Sequence, residues 1–241
     1  MKTLIIKLAA PLQSYGNEAS FGRRTTNYFP TKSAVLGMIA AAMGYRRDDK
    51  RILELNDLSF AVRIDQPGKI TTDFQIAEYA KNANKTARKL TYRNYLQDAV
   101  FLVGISSEKD DWIDKIKFAV QHPKFQLYLG RRSNPPAGPL EVDTFDDKNP
   151  LLVLKDLKWS ASDWYKKRHK SSSINIEIIS DVDLVKKDNK SNTFIQIKDK
   201  IGSFDQKNIY HNYLEAVSLY VTLKNDLYSR ESTDHDIMSF I

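Results

Sequence analysis

Three stretches of the sequence gather cationic, phenolic and hydroxyl side chains in patterns suited to holding phosphate. The first runs from Ala10-Pro11-Leu12-Gln13-Ser14-Tyr15-Gly16 through Gly22-Arg23-Arg24-Thr25-Thr26 to Phe29-Pro30-Thr31-Lys32-Ser33. It lies directly ahead of an apolar run rich in helix formers. Free N–H groups and the positive dipole end of a helix attract anions at such a place. The plain alternative is that Thr31 or Ser33 caps the helix and the arginines are solvated; the Arg23-Arg24 pair favours an anion site. The second stretch, Tyr128-Leu129-Gly130-Arg131-Arg132-Ser133-Asn134, supplies another arginine pair. Guanidinium groups grip phosphate in bidentate fashion, although an Arg-Arg turn is also a common solvated feature. The third, Leu90-Thr91-Tyr92-Arg93-Asn94-Tyr95-Leu96-Gln97-Asp98, interleaves rings with charge. Here Tyr92 and Tyr95 either stack on bases, at about 1–3 kcal/mol per base, or pack the segment onto the fold.

Other chemistries lack the residues they need. There is no cysteine, which removes disulfides, thiolate metal sites and thiol catalysis. The four histidines, His122, His169, His211 and His235, stand too far apart in sequence to form a local metal motif. Thr31-Lys32-Ser33 resembles the end of a phosphate-binding loop, but the preceding glycine frame is missing, so nucleotide hydrolysis has no support. No metal, cofactor or catalytic residue is therefore assigned. A charge of +7, from 37 Lys+Arg against 30 Asp+Glu, favours a polyanionic partner. No run approaches the roughly 18 apolar residues of a membrane span, and the expected location is cytoplasmic.

Periodicity supplies the elements that must position these groups. Strands are expected at Thr3–Leu8, Phe60–Ile64, Ala99–Ile105 and Phe125–Leu129, and helices at Ala34–Met43 and Asp110–Gln121. The first helix ends at Gly44, and the second begins with acids and stops at His122-Pro123. The order predicts an α+β fold: a ferredoxin-like (RRM-like) βαββαβ domain over 1–140. Its second and third strands are separated by a long segment, Asp65 to Asp98, in which Ile70–Ala77 and Leu90–Leu96 can both be extended. This reads as a projecting β-hairpin with a mobile tip near Lys81–Lys89. After Pro135-Pro136-Ala137-Gly138-Pro139 a smaller β-rich C-terminal region is expected over 141–241, with strands at Leu151–Leu154, Ile174–Ile179, Thr193–Lys198 and Val217–Leu223. The basic runs Lys166–Lys170 and Lys186-Lys187 read as solvated faces.

Three ordered blocks resemble a known family: Leu8 to Gly16 with Arg24-Thr25-Thr26, Phe29 to Ser33 and Ala42 to Asp48; Tyr92 to Ala99; and Tyr128 to Ser133. They are similar to the CasD family of type I-E CRISPR Cascade subunits, repeat-associated RNA-binding proteins. Val35 stands where that family has a glycine, and Asn134 where it has a cysteine; neither change removes a charge. The resemblance implies a non-catalytic subunit that binds the 5′ handle of the CRISPR RNA and caps the backbone-subunit filament in antiviral defence. It also implies a thumb at 66–96 against a neighbouring backbone subunit, contact with the large subunit, and access to target DNA only through the complex, where base pairing reads the sequence. By motif position it assigns RNA binding to Gln13, Tyr15, Arg23, Arg24, Lys32, Tyr92, Arg93, Arg131 and Arg132. The alternative is a metal-independent endoribonuclease that processes precursor CRISPR RNA, as some relatives do. Such an enzyme needs a base and an acid at the ribose 2′-hydroxyl, and no histidine falls in a matched block.

Overall fold

The computed structural model describes residues 1–16, 22–82, 85–185, 193–200 and 211–228. Its first strand, β1 (Lys2–Ala9), is apolar on both sides, which suits a strand at the centre of a covered sheet. After the short segments β2 (Leu12–Gln13) and β3 (Arg23–Arg24) comes α1 (Lys32–Met43). Thr31 Oγ1 accepts from the Ala34 N–H at 3.3 Å, and Gly44, at φ 79°, closes the helix by donating to its last carbonyls. A single turn, α2 (Arg51–Glu54), leads into β4 (Ser59–Gln66). The long hairpin β5 (Lys69–Asn82) and β6 (Lys85–Gln97) precedes β7 (Val100–Ser107) and α3 (Asp110–Gln121).

Strands β1, β4 and β7 are joined in the main sheet by β8 (Val142–Asp146), in the spatial order β8-β1-β7-β4 with every neighbour antiparallel. Leu4, Ile6 and Leu8 of β1 pack with Val35 and Ile39 of α1 and with Ile113 and Ile116 of α3. Ile5 points to the other face, where Leu151, Val153 and Leu154 of α4 (Pro150–Asp156) cover it. The remaining elements are α5 (Asp163–Arg168), β9 (Ser173–Asp181), β10 (Thr193–Lys200) and β11 (His211–Lys224).

Three expectations need revision. Phe125–Leu129 is not a strand. The Lys124 and Phe125 N–H groups close on the Ala42 and Ala41 carbonyls at the end of α1, and the strand at the sheet edge is β8. Leu151–Leu154 is helical rather than extended, because Asn149 caps the Leu152 N–H at 2.8 Å and Pro150 occupies the first turn. Lys166-Lys167-Arg168 forms the last turn of α5, with Lys167 and Arg168 exposed as a solvated face. The C-terminal strands build no sheet of their own. They continue the main one in the order β10-β11-β9-β4, so the Pro/Gly cluster near 140 marks no break in the sheet. The two extended runs of the Asp65–Asp98 segment pair as a hairpin, from Lys69↔Gln97 to Asn82↔Lys85. Its turn at 83–84 and the run Lys186-Lys187 lie outside the described residues.

One buried ion pair ties the C-terminal part to this sheet. Arg63 on β4 donates through Nε and Nη2 to the Asp65 carboxylate at 2.6 and 2.8 Å, and both side chains are fully shielded from water. The same guanidinium donates to the carbonyls of Leu154, Leu157 and Lys158 at 2.5, 2.6 and 2.7 Å, which are left free at and beyond the end of α4. Asp65 also accepts from the Ser160 N–H, and its backbone carbonyl accepts from the Trp159 indole. Asp65→Ala would strand a buried guanidinium and should cost about 3–5 kcal/mol. The expected fall in Tm is roughly 10 °C; an unchanged melting curve would show that the backbone carbonyls alone hold Arg63.

Candidate nucleic-acid interface

β6 organises the basic residues. At its base it pairs with β2, Leu12 opposite Gln97 and Gln13 opposite Leu96. Further along it pairs in parallel with β3, Arg23 beside Tyr92 and Arg24 beside Arg93, and the Tyr92 N–H donates to the Gly22 carbonyl at 2.9 Å. The segment after β1 thus returns along the hairpin. The loop 128–134 then closes over both. The Ser14 N–H donates to the Leu129 carbonyl at 3.1 Å, and Ser14 Oγ donates to the Asn94 carbonyl at 3.1 Å. Closure at this distance requires glycine at position 130: its φ is +88°, and a Cβ there would sit 1.6 Å from the Ser14 carbonyl oxygen.

That close approach carries Arg131 across to the hairpin. Its Nη2 donates to the Arg24 carbonyl at 3.1 Å, and its guanidinium carbon lies 4.7 Å from the centre of the Tyr95 ring. Two donors in this cluster, Arg93 Nε and Arg131 Nη1, are buried and have no hydrogen-bond partner. Among the described residues no carboxylate forms an ion pair with Arg93, Arg131 or Arg132. The Tyr95 phenol reports the resulting field. Burial pushes its pKa up, but Arg131, then Ser133 and Arg93, outweigh burial and leave it below the ordinary tyrosine value. Desolvated donors and uncompensated positive charge are the chemistry that suits an anionic oxygen.

The residues singled out from sequence divide by strand geometry. Arg24 and Arg93 share one face of the hairpin base with Tyr95, and Arg131 meets them there; Arg132 follows, exposed. Arg23 and Tyr92, one position away, belong by register to the opposite face, which also carries Phe74, the partner of Tyr92. Gln13 and Tyr15 are internal. Gln13 donates to the Ala99 carbonyl at 2.7 Å and accepts from the Tyr15 hydroxyl at 2.7 Å, while Tyr15 meets Phe101 edge-on and burial drives its phenol pKa far upward. They support the loop rather than offer groups to a ligand. Lys32 is neutralised by Asp181 at 2.9 Å. Tyr95, read from sequence as a stacking or packing residue but not assigned to RNA binding, belongs with the cluster, and so does Ser133, which was not singled out. The two-residue spacing from Arg93 to Tyr95 was the available signal for the tyrosine; Ser133 had only its position after the arginine pair.

The two histidines whose side chains are described lie elsewhere. His122 stacks on Phe118 at 4.5 Å with its Nδ1 3.1 Å from the Phe118 carbonyl, and His169 sits edge-on to Trp159 at 5.8 Å. His235 and the side chain of His211 lie outside the described residues. Among the described residues no group of His, Asp and Glu could hold a metal, and no helix is long and apolar enough to cross a membrane.

Comparison with known proteins places this geometry. The profile of the CRISPR-associated protein (Cas_Cas5) family matches residues 3–210. The CRISPR system Cascade subunit CasD of Escherichia coli (strain K12) is 33% identical over 180 residues, 67% of this chain and 80% of that protein. A chain of a CRISPR RNA-guided surveillance complex superposes with a TM-score of 0.69 at 24% identity, covering 99% of this chain and 98% of the other. A second structure, a Cas protein crystal structure, gives 0.62 at 24% identity over 95% and 98%. The chain belongs to the Cas5 family of CRISPR-associated proteins and is a CasD-type Cascade subunit.

Proposed function

We propose that this subunit binds the 5′ handle of the CRISPR RNA at Arg24, Arg93, Tyr95, Arg131 and Arg132, and that its hairpin caps the filament of backbone subunits. The reading rests on the two buried, unpartnered guanidinium donors, Arg93 Nε and Arg131 Nη1, beside a phenol whose acidity is raised by positive charge. A phosphate there would satisfy donors that the fold leaves open. The strand order β8-β1-β7-β4 is read as a ferredoxin-like core carrying the cluster beside it. On the hairpin, Phe74, Ile76 and Leu90 are 62%, 61% and 49% exposed along the face opposite Arg93. An apolar stripe backed by a basic face suits a thumb with protein on one side and RNA on the other. Contacts with the large subunit and, through the complex, with target DNA belong to the same proposal.

Processing of precursor RNA is the second reading, and the lowered pKa of Tyr95 is what favours it: a phenol of raised acidity beside two arginines could take a proton from a ribose 2′-hydroxyl. Neither His122 nor His169 stands in the cluster to protonate the leaving oxygen. Incubation of the purified chain with labelled repeat RNA in EDTA should leave the RNA intact. Cleavage abolished by Tyr95→Phe would make the protein a nuclease.

With about four to six phosphates engaged, single-stranded RNA binding should weaken with a log–log salt slope of about −3 to −4. Arg93→Ala combined with Arg131→Ala should flatten that slope by about 1.4, whereas Lys32→Ala, whose charge is already met by Asp181, should leave it unchanged. Salt titrations by fluorescence anisotropy read both, and an unaltered slope in the arginine variant would remove the cluster from the RNA path. Phe74→Ser with Ile76→Ser should leave Tm and RNA affinity as they are and reduce co-elution with backbone subunits. Unimpaired assembly would assign the stripe another role.

A further inference from the structure

A cavity of about 310 Å³ opens at the foot of the hairpin, between the β4–β5 turn and α5. Lys69, Gln97, Asp98, Trp164, Tyr165 and Arg168 line it. Its volume lies at the small end of ligand sites, the range of one nucleotide-sized group. The side chains are of three useful kinds. Trp164 is 52% exposed and offers a ring face. Lys69 and Arg168 make no ion pair with any described residue. Asp98 is engaged through one carboxylate oxygen only, accepting from Gln97 Nε2 at 3.3 Å, so the other can accept from a base amino group or a ribose hydroxyl.

The walls are built rather than incidental. Tyr165 meets Trp164 edge-on at 5.7 Å and the buried Trp159 at 6.0 Å, and the Trp159 indole donates to the Asp65 carbonyl beside the shielded ion pair. Asn225, almost wholly buried, places its amide against the carbonyls of Lys166, His169 and Ser171 at 3.0–3.1 Å and so fixes the end of α5. On the hairpin side, Asp98 is held at φ 56°, its N–H donating to the Pro11 carbonyl at 3.1 Å and its carbonyl accepting from Gln66 Nε2.

The cavity is also aligned with the cationic cluster. Gln97 and Tyr95 are two residues apart on β6 and therefore share a face, about 7 Å apart along the strand. We infer that this cavity is a nucleotide pocket: Trp164 stacks an unpaired base and Arg168 and Lys69 hold the adjoining phosphate, on a strand whose neighbouring phosphate sits at Arg93 and Arg131. Stacking on an exposed ring with flanking cations is tolerant of base identity, so the ligand class is a single-stranded nucleic acid, RNA or DNA. The identity of the strand rests on the RNA-binding reading above; the pocket rests on its own residues.

The test measures binding of labelled 12-nucleotide single-stranded RNA and DNA to the full-length chain, comparing Trp164→Ala, Arg168→Ala and Arg93→Ala/Arg131→Ala, with Tm as the folding control. Trp164→Ala should weaken binding by about tenfold without changing the salt slope, and Arg168→Ala should reduce that slope by about 0.7. A loss on RNA alone identifies the guide strand as occupant, and an equal loss on DNA identifies any unpaired strand; both support the pocket. A loss in the Trp164 variant with none in the arginine pair would overturn the handle-binding cluster and leave the pocket standing. Wild-type affinity in both Trp164→Ala and Arg168→Ala, with Tm unchanged, would overturn the pocket.

Discussion

The Arg63–Asp65 pair sits where three parts of the molecule meet. A fully desolvated ion pair contributes little net stability, because removing two charges from water offsets their attraction. Its value here lies in geometry. One guanidinium closes the carbonyl end of α4, one carboxylate holds the chain at Ser160, and the adjacent indole of Trp159 is drawn against β4. Residues 154–160 are therefore fastened to the central sheet, and α5 takes a defined place at the foot of the hairpin. The pair is expensive to break because its buried partners have no water to turn to, so it specifies one arrangement of α4 and residues 157–160 against β4.

The cationic cluster uses the opposite device. Where Arg63 has every donor satisfied, Arg93 and Arg131 each retain a buried donor without an acceptor. Holding like charges together in a partly desolvated site costs free energy, and the fold bears that cost through contacts made elsewhere: the Gly130–Ser14 approach, the Tyr15–Gln13 hydrogen bond and the packing of Tyr15 on Phe101. Residues assigned to RNA from the sequence thus include several that are internal and hold the cluster's arginines in place. This division explains why Tyr15 and Arg131 can stand in equally suggestive motifs and do different work.

The hairpin differs again in its physics. Its two strands pair along their length, yet Phe74, Ile76 and Leu90 remain exposed and only its base, at Tyr95 and Leu96, is buried. An element with so little core contact contributes little to the stability of the chain that bears it. Its apolar stripe gains energy only when another surface covers it.

Much of this was legible in the sequence. The limits of α1 follow from Thr31 and Gly44, those of α3 from its leading acids and His122-Pro123, and the hairpin from two extended runs in an otherwise overlong connection, because caps, turns and short-range pairing are local chemistry. The three basic stretches, too, could be named in advance. What the sequence left open was which side chains face one another. Leu151–Leu154 is equally apolar as strand or helix until Asn149 caps it, and the run at Phe125–Leu129 is taken out of the sheet by the free carbonyls at the end of α1. The exclusion of Gln13, Tyr15 and Lys32 from the cluster and the inclusion of Tyr95 depend on contacts spanning as many as 149 positions, from Lys32 to Asp181. Local sequence determines where a strand or helix begins and what groups it carries. Only the packed structure decides which of those groups are buried, paired or left open, because desolvation and charge depend on neighbours that the chain brings together from far apart.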